Sequence, residues 1–172
     1  MQLRNNLDGS PAARPTELRT EVSPEGFRFH FSCRTSRCHS AYDEYNRPIY
    51  EGDVCEIFLT ADPTRQTYYE IEVAPNGTVF FARVIRQDGK GRLEFLPYTI
   101  VTRAQAWEDG YEVAIEVPYA SVGMRGGEPA WYNAYRIETD GGHSNRYLMA
   151  LNPTLYKSFH RPEYFVPLVP LD

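Results

Sequence analysis

The sequence predicts an all-β protein, an antiparallel β-sandwich of the jelly-roll or immunoglobulin-like kind with little or no helix. Three observations lead there. Apolar residues recur with a period of two in one short segment after another, as they do in strands whose side chains alternate faces. The 172 residues include 13 tyrosines and 9 phenylalanines, rings that suit strands better than helices. Thirteen prolines and twelve glycines break the chain at short intervals, and no long helix is legible between them.

The elements follow in order. Residues 1–15 read as a tail or edge segment. Leu18 to Val22 is a short strand, Ser23-Pro24-Glu25-Gly26 a turn, and Phe27 to Cys33 a second strand with Phe27, Phe29 and Phe31 on one face. Strand, turn and strand with this alternation predict a hairpin. Arg34 to Arg47 is a long polar loop. Asp53 to Leu59 is a central strand: Cys55, Ile57 and Leu59 share the core face, while Val54, Glu56 and Phe58 share the other. Thr67 to Val73 and Val79 to Arg86 follow, joined by the turn Pro75-Asn76-Gly77. Asp88-Gly89-Lys90-Gly91 reads as another turn. Ile100 to Trp107 and Tyr111 to Val117 flank Asp109-Gly110 as a hairpin. Pro118 to Val122 is a single helical turn before a glycine-rich loop, Trp131 to Glu138 and Tyr147 to Leu151 are strands, and the proline-rich tail from Phe159 to Leu171 lies extended across the body.

At 172 residues the chain fits one domain able to bury a core. A formal net charge of −5, with no long Lys/Arg run, argues against nucleic acid as a partner. No segment has the continuous apolar length of a membrane-spanning helix. Met1 to Arg19 has no signal-peptide apolar region, so the expectation is a cytoplasmic protein as written, secreted or periplasmic if a leader was removed. Cys33, Cys38 and Cys55 form an odd set and no disulfide framework. Cys33 and Cys38 are near enough to pair across a loop, although reduced thiols are the simpler expectation, and Cys55 reads as a small core residue.

Pairing Asp53–Leu59 antiparallel with Thr67–Val73 buries Cys55, Ile57, Leu59, Tyr69, Ile71 and Val73 together and leaves Glu56, Phe58, Tyr68, Glu70 and Glu72 on the opposite face. If Phe80, Ala82 and Val84 continue the core, Phe81 and Arg83 join that face. Acids, an arginine and aromatic rings together suit a sugar, whose C–H face packs on rings while its hydroxyls bond to carboxylates and guanidinium groups. The plainer reading is a solvated face with cross-strand Glu–Arg pairs.

Other chemistries find less support. Glu56 and Glu70 share a face, but a glycosidase pair needs a set separation and one raised pKa. Cys33, Cys38 and His39 lack a close cysteine pair and a fourth metal ligand, which makes them a loop cysteine and a surface histidine. His143, in Asp140-Gly141-Gly142-His143-Ser144, reads as a solvated turn residue, and His160 as an anchor for the tail. No nucleophile elbow and no phosphate-binding glycine loop occurs.

Four stretches in order, Pro48 to Leu59, Tyr68 to Gly77, Gly110 to Pro118 and Ser158 to Phe165, resemble the family 9 carbohydrate-binding modules. Pro48-Ile-Tyr-Glu-Gly-Asp-Val-Cys-Glu-Ile-Phe-Leu59 resembles their Trp-Glu-x-Asp-x-Val-Glu-Ile-Phe signature. Tyr68 to Gly77 resembles the tyrosine-rich strand and its turn, Gly110 to Pro118 the Gly-Tyr/Trp-x-Val-Glu-x-x-Ile-Pro strand, and Ser158 to Phe165 the closing motif. The resemblance implies a β-sandwich that binds mono- or disaccharide ends without catalysis, often beside glycoside hydrolase domains in polysaccharide breakdown. The family holds its sugar between two tryptophans. The first matches Tyr50; the second falls near Ala150, which supplies no ring, leaving Tyr135, Tyr147 and Tyr156 as candidates for that wall. The family's site glutamate matches Glu56, and a sugar-binding arginine falls on Glu72. The expected ligand-binding set is therefore Tyr50, Glu56, Glu70, Glu72, Arg83, Asn133 and Tyr135. Family members also bind structural calcium, for which Asp43, Glu44 and Asp53 are the oxygen ligands at hand, with no recognisable calcium loop. Two alternatives stand beside sugar binding: an interaction or structural domain whose sugar site has degenerated, as Ala150 and Glu72 favour, and a haem carrier like the related DOMON sandwiches, with Met149, Met124, His160 and Lys157 as the side chains to consider.

Overall fold

The structure, a computed structural model, describes residues 1–87, 90–142 and 145–169. The expected Asp88-Gly89 turn and His143 lie outside the described residues. Twelve strands are described: β1 (Arg4–Asn5), β2 (Thr16–Val22), β3 (Gly26–Arg34), β4 (Val54–Thr60), β5 (Thr67–Val73), β6 (Val79–Gln87), β7 (Lys90–Phe95), β8 (Val101–Trp107), β9 (Gly110–Pro118), β10 (Ala130–Glu138), β11 (Tyr147–Ala150) and β12 (Val166–Leu168). Among the described residues, helix is confined to three short 3₁₀ turns at Ile49–Glu51, Tyr119–Val122 and Pro162–Tyr164. The larger sheet runs β1-β11-β10-β4-β5-β6-β7, with β12 also paired to β10; the smaller runs β2-β3-β9-β8. All pairings are antiparallel. No described helix is long and apolar enough to cross a membrane.

The two sheets pack face to face around one core. Phe27, Phe29 and Phe31 of β3 and Val113, Ile115 and Val117 of β9 meet Cys55, Ile57 and Leu59 of β4 and Ile71 and Val73 of β5. Burying each such branched or aromatic side chain contributes roughly 1.5–3 kcal/mol. The β3–β9 ladder is close at both ends. A Cβ at Gly26 would lie 2.1 Å from the Val117 carbonyl oxygen, and one at Gly110 would lie 2.4 Å from that of Cys33. Trp107 pairs with Gly110, so the β8–β9 turn is centred on Glu108–Asp109, one residue earlier than expected.

The expected β4–β5 register is present: Cys55 opposes Val73, Ile57 opposes Ile71, and Leu59 opposes Tyr69. The phase of β6 is the reverse of that expected. Ile71 pairs with Phe81, which enters the inter-sheet core, while Phe80, Ala82 and Val84 turn to the other face. Val79-Phe80-Phe81-Ala82 is apolar on both sides, so alternation has no contrast to read, and a one-residue slip exchanges the faces.

The outer face of the large sheet is not solvated. Val54, Phe58, Tyr68, Phe80, Ala82, Val84, Tyr135 and Ile137 form a second core there, closed by Ile49 and by Phe159 and Phe165 of the C-terminal segment. That segment is pinned in place. Tyr68 Oη and His160 Nδ1 are 2.8 Å apart, Tyr135 Oη donates to the Phe159 carbonyl at 3.2 Å, and the rings of Tyr135 and Phe159 stack at 4.3 Å. His160 thus takes the anchoring role expected of it. The N-terminal segment is an edge: β1 pairs with β11, and Leu3 and Asn6 are buried.

Candidate functional site

A groove of about 420 Å³ opens on this outer face. Strand geometry builds its floor. Glu56 and Phe58 of β4 project to the same side as Glu70 and Glu72 of β5, Phe80 of β6, and Leu93 and Phe95 of β7. Tyr50, on the 3₁₀ turn before β4, stands at one margin, and Lys157, Ser158, Phe159 and His160 at another. Tyr50 and Phe95 are the exposed rings, at 43% and 61% of full exposure, and Phe95 sits edge-on to Phe80 with centroids 5.7 Å apart. The Tyr50 carbonyl accepts a hydrogen bond from the Arg146 guanidinium, which ties this margin to the start of β11.

Three carboxylates lie together on the floor. Glu56 is directly opposite Glu72 in the ladder, and Glu70 is opposite Phe58. One carboxylate oxygen from each lies within 4.8 Å of the other two. Their exposures are 2%, 1% and 5% for Glu56, Glu72 and Glu70. Each keeps one buried oxygen, Oε1 of Glu56 and Oε2 of Glu70 and Glu72, with no hydrogen-bond partner. The nearest basic group paired to them is the His160 Nε2, 3.9 Å from Glu70 Oε1. Burial is the main force on their acidities. It lifts Glu70 to about 7. Burial, followed by the neighbouring Glu70, lifts Glu56 well above the ordinary carboxylate range, with Arg146 opposing. Burial, then Glu56 and Glu70, does the same to Glu72. Partial desolvation, followed by the Arg86 charge, lowers the His160 imidazole from its ordinary value.

Tyr50, Glu56, Glu70 and Glu72 therefore come together as the sequence suggested. Arg83 does not. It projects from the other face of β6, where it pairs with Glu94, because the phase of that strand is reversed. Asn133 points the expected way but is consumed by structure: its amide donates to the carbonyls of Asn152 and Tyr164, and its oxygen accepts from Asn152 N. Tyr135 is buried beneath Phe159, and Ala150 is buried opposite it. Tyr147 lies under the Arg14 guanidinium and Tyr156 beside Arg161, so neither forms a wall of the groove. Phe80, Leu93, Phe95, Phe159 and His160 were not foreseen. The legible signal was Leu93-Glu94-Phe95, two large apolar residues at strand spacing in an otherwise polar stretch.

The calcium set suggested by resemblance is not assembled. Both Asp53 oxygens are occupied, by the backbone N–H of His39 at 2.9 Å and by the N–H and hydroxyl of Thr139 at 2.7 and 2.6 Å. Among the described residues, the one group of Asp, Glu, His or Cys side chains close enough to share an ion is Glu56, Glu70 and Glu72. The haem set is likewise divided: Met124 and Met149 are in the inter-sheet core, whereas Lys157 and His160 line the groove. Cys33 lies against Cys55, with sulfurs 3.5 Å apart, rather than against Cys38; all three are free thiols.

No protein family model matches the sequence. No curated protein matches it either. Solved structures do resemble it. A protein from Bacteroides uniformis, proposed to bind carbohydrate, superposes with a TM-score of 0.77 at 14% identity, covering 96% of this chain and 84% of that one. A family 9 carbohydrate-binding module from Caldicellulosiruptor kristjanssonii, in complex with cellotriose, gives 0.65 at 12% identity, covering 100% and 88%. A family 9 module from the same organism, in complex with glucose, gives 0.67 at 13%, covering 96% and 81%. By these superpositions, the chain has the β-sandwich fold of the family 9 carbohydrate-binding modules.

Proposed function

We propose that the groove binds a small saccharide or the end of a glycan, without catalysis. The observation that carries this reading is a floor of three buried carboxyl groups with unmet hydrogen-bonding capacity, flanked by two exposed rings. A pyranose has the matching surfaces: hydroxyls for the carboxyls and C–H faces for Tyr50 and Phe95. The volume of about 420 Å³ falls within the range of roughly 300–1,000 Å³ common for small-ligand sites. The glucose and cellotriose complexes formed by structures of the same fold support the same ligand class.

Calorimetric titration with glucose, cellobiose and cellotriose, alongside a glycan array, tests the reading. Binding that weakens at least tenfold in Tyr50→Ala and Glu56→Gln is expected. No binding to any saccharide removes the proposal, and unchanged binding in both variants moves the site elsewhere.

A further inference from the structure

Buried carboxylates elsewhere in this fold have partners. Asp53 is saturated by His39 and Thr139, and Glu138 is paired to the Arg136 guanidinium and the Thr35 hydroxyl. Glu56, Glu70 and Glu72 are the exception. They are all more than nine-tenths buried, and each retains an oxygen that no donor in the protein meets. The strand register also sets Glu56 directly against Glu72, where two charged carboxylates would repel, so the pair needs either a proton or a cation between its oxygens.

We propose that Glu56, Glu70 and Glu72 form a site for a hard divalent cation of calcium's kind, and that this ion presents its open positions to saccharide hydroxyls in the groove. The donors are all carboxylate oxygens, the ligands of hard cations rather than of zinc or copper. Oxygens within 4.8 Å of one another are close enough for small side-chain rotations to bring all three to a shared ion at calcium's bond length of about 2.3–2.6 Å. The side chains rise from two adjacent strands, so the site is preformed rather than assembled from loops. Three protein ligands leave about three to five of calcium's six to eight positions free, and the open side of the cluster is the groove. Only the second half of the proposal rests on the saccharide reading. The ion site stands or falls by itself.

The test begins on the full chain, stripped with EDTA and dialysed, with no sugar present. Calorimetric titration with calcium chloride, repeated with manganese chloride, is expected to show one ion per chain. Glu56→Gln and Glu72→Gln should each weaken it at least tenfold, with circular dichroism unchanged. Arg83→Ala, off this face, should leave it intact. No uptake of either ion overturns the proposal and identifies the trio as held by protons. Uptake that survives both glutamine variants overturns it as well, by placing the ion elsewhere. Glucose and cellotriose are then titrated with calcium and with EDTA. Sugar binding that is lost in EDTA supports the second half, and equal binding in EDTA removes it. An ion bound with no saccharide affinity under either condition supports the ion site and removes the saccharide reading.

Discussion

Glu56 and Glu72 stand directly opposite each other across the β4–β5 ladder, both buried, each with an oxygen that no donor meets. Sheets ordinarily separate like charges in this position. The outer face of the large sheet instead keeps them beside Glu70 inside a second apolar core, and the behaviour of the groove follows from that placement.

The first prediction concerns pH in protein freed of divalent cations. Burial raises Glu70 from 4.5 to about 7, and raises Glu56 and Glu72 as well. The folded state then holds protons that the unfolded state releases once pH passes the ordinary carboxylate value. Stability is therefore greatest at low pH in this window and falls as pH rises from about 4.5 through about 7, by roughly 3 kcal/mol for Glu70. Urea denaturation in EDTA at pH 5 and pH 8 checks this. The midpoint should drop at pH 8, and Glu70→Gln should flatten the slope. A midpoint that rises across the window contradicts the assignment.

The second concerns the rings. Tyr50→Ala and Phe95→Ala should each weaken saccharide binding about tenfold, near 1.4 kcal/mol, while leaving the melting temperature almost unchanged, because both rings are exposed. Arg83→Ala should leave affinity unchanged, since its partner is Glu94 on the opposite face. Isothermal titration of the three variants separates these outcomes.

The third concerns the inter-sheet network. The Arg136 guanidinium is buried and donates to Tyr111 Oη at 3.1 Å, to Thr16 Oγ1 at 2.9 Å and to the Arg34 carbonyl at 3.0 Å, besides pairing with Glu138. Arg136→Leu strands the Glu138 charge and should cost about 3–5 kcal/mol in urea denaturation. Arg136→Leu combined with Glu138→Leu should recover part of that loss. If the double variant loses as much stability as the two single changes added together, Arg136 and Glu138 act independently and a stranded Glu138 charge is not the cause of the loss.

The fourth concerns the thiols. Cys38 is half-buried, with its thiol pushed up to about 11 by burial and then by Asp53. Cys33 and Cys55 are buried against each other. A thiol reagent at pH 8 should label Cys38 slowly in folded protein and all three only in denaturant. Rapid labelling of three thiols under native conditions would show that the sheets open readily.

Much of the fold was legible because alternation and turn residues are local. Phe27, Phe29 and Phe31 and the β4–β5 register followed from strand period alone. The phase of β6 did not, because four successive apolar residues offer no contrast between faces. Tyr50, Glu56, Glu70 and Glu72 followed from a shared face and a resemblance, whereas Phe95 lies between the expected Asp88–Gly91 turn and the strand from Ile100, in a stretch for which the sequence predicts no element. Asn133 and Tyr135 pointed correctly, yet their hydrogen bonds go to a C-terminal segment distant in sequence.

The sequence by itself determined an antiparallel sandwich, its hairpins, and the side of the sheet on which the acids lie, since these depend on neighbours one or two residues apart. Only the tertiary structure decided that this side is a second core and not a wet surface. Phe159, His160 and Phe165 fold back over Tyr68 and Tyr135, remove water from Glu56, Glu70 and Glu72, and leave their oxygens to be met by whatever enters the groove. That contact joins residues about ninety positions apart, such as Tyr68 and His160, beyond the reach of any local pattern.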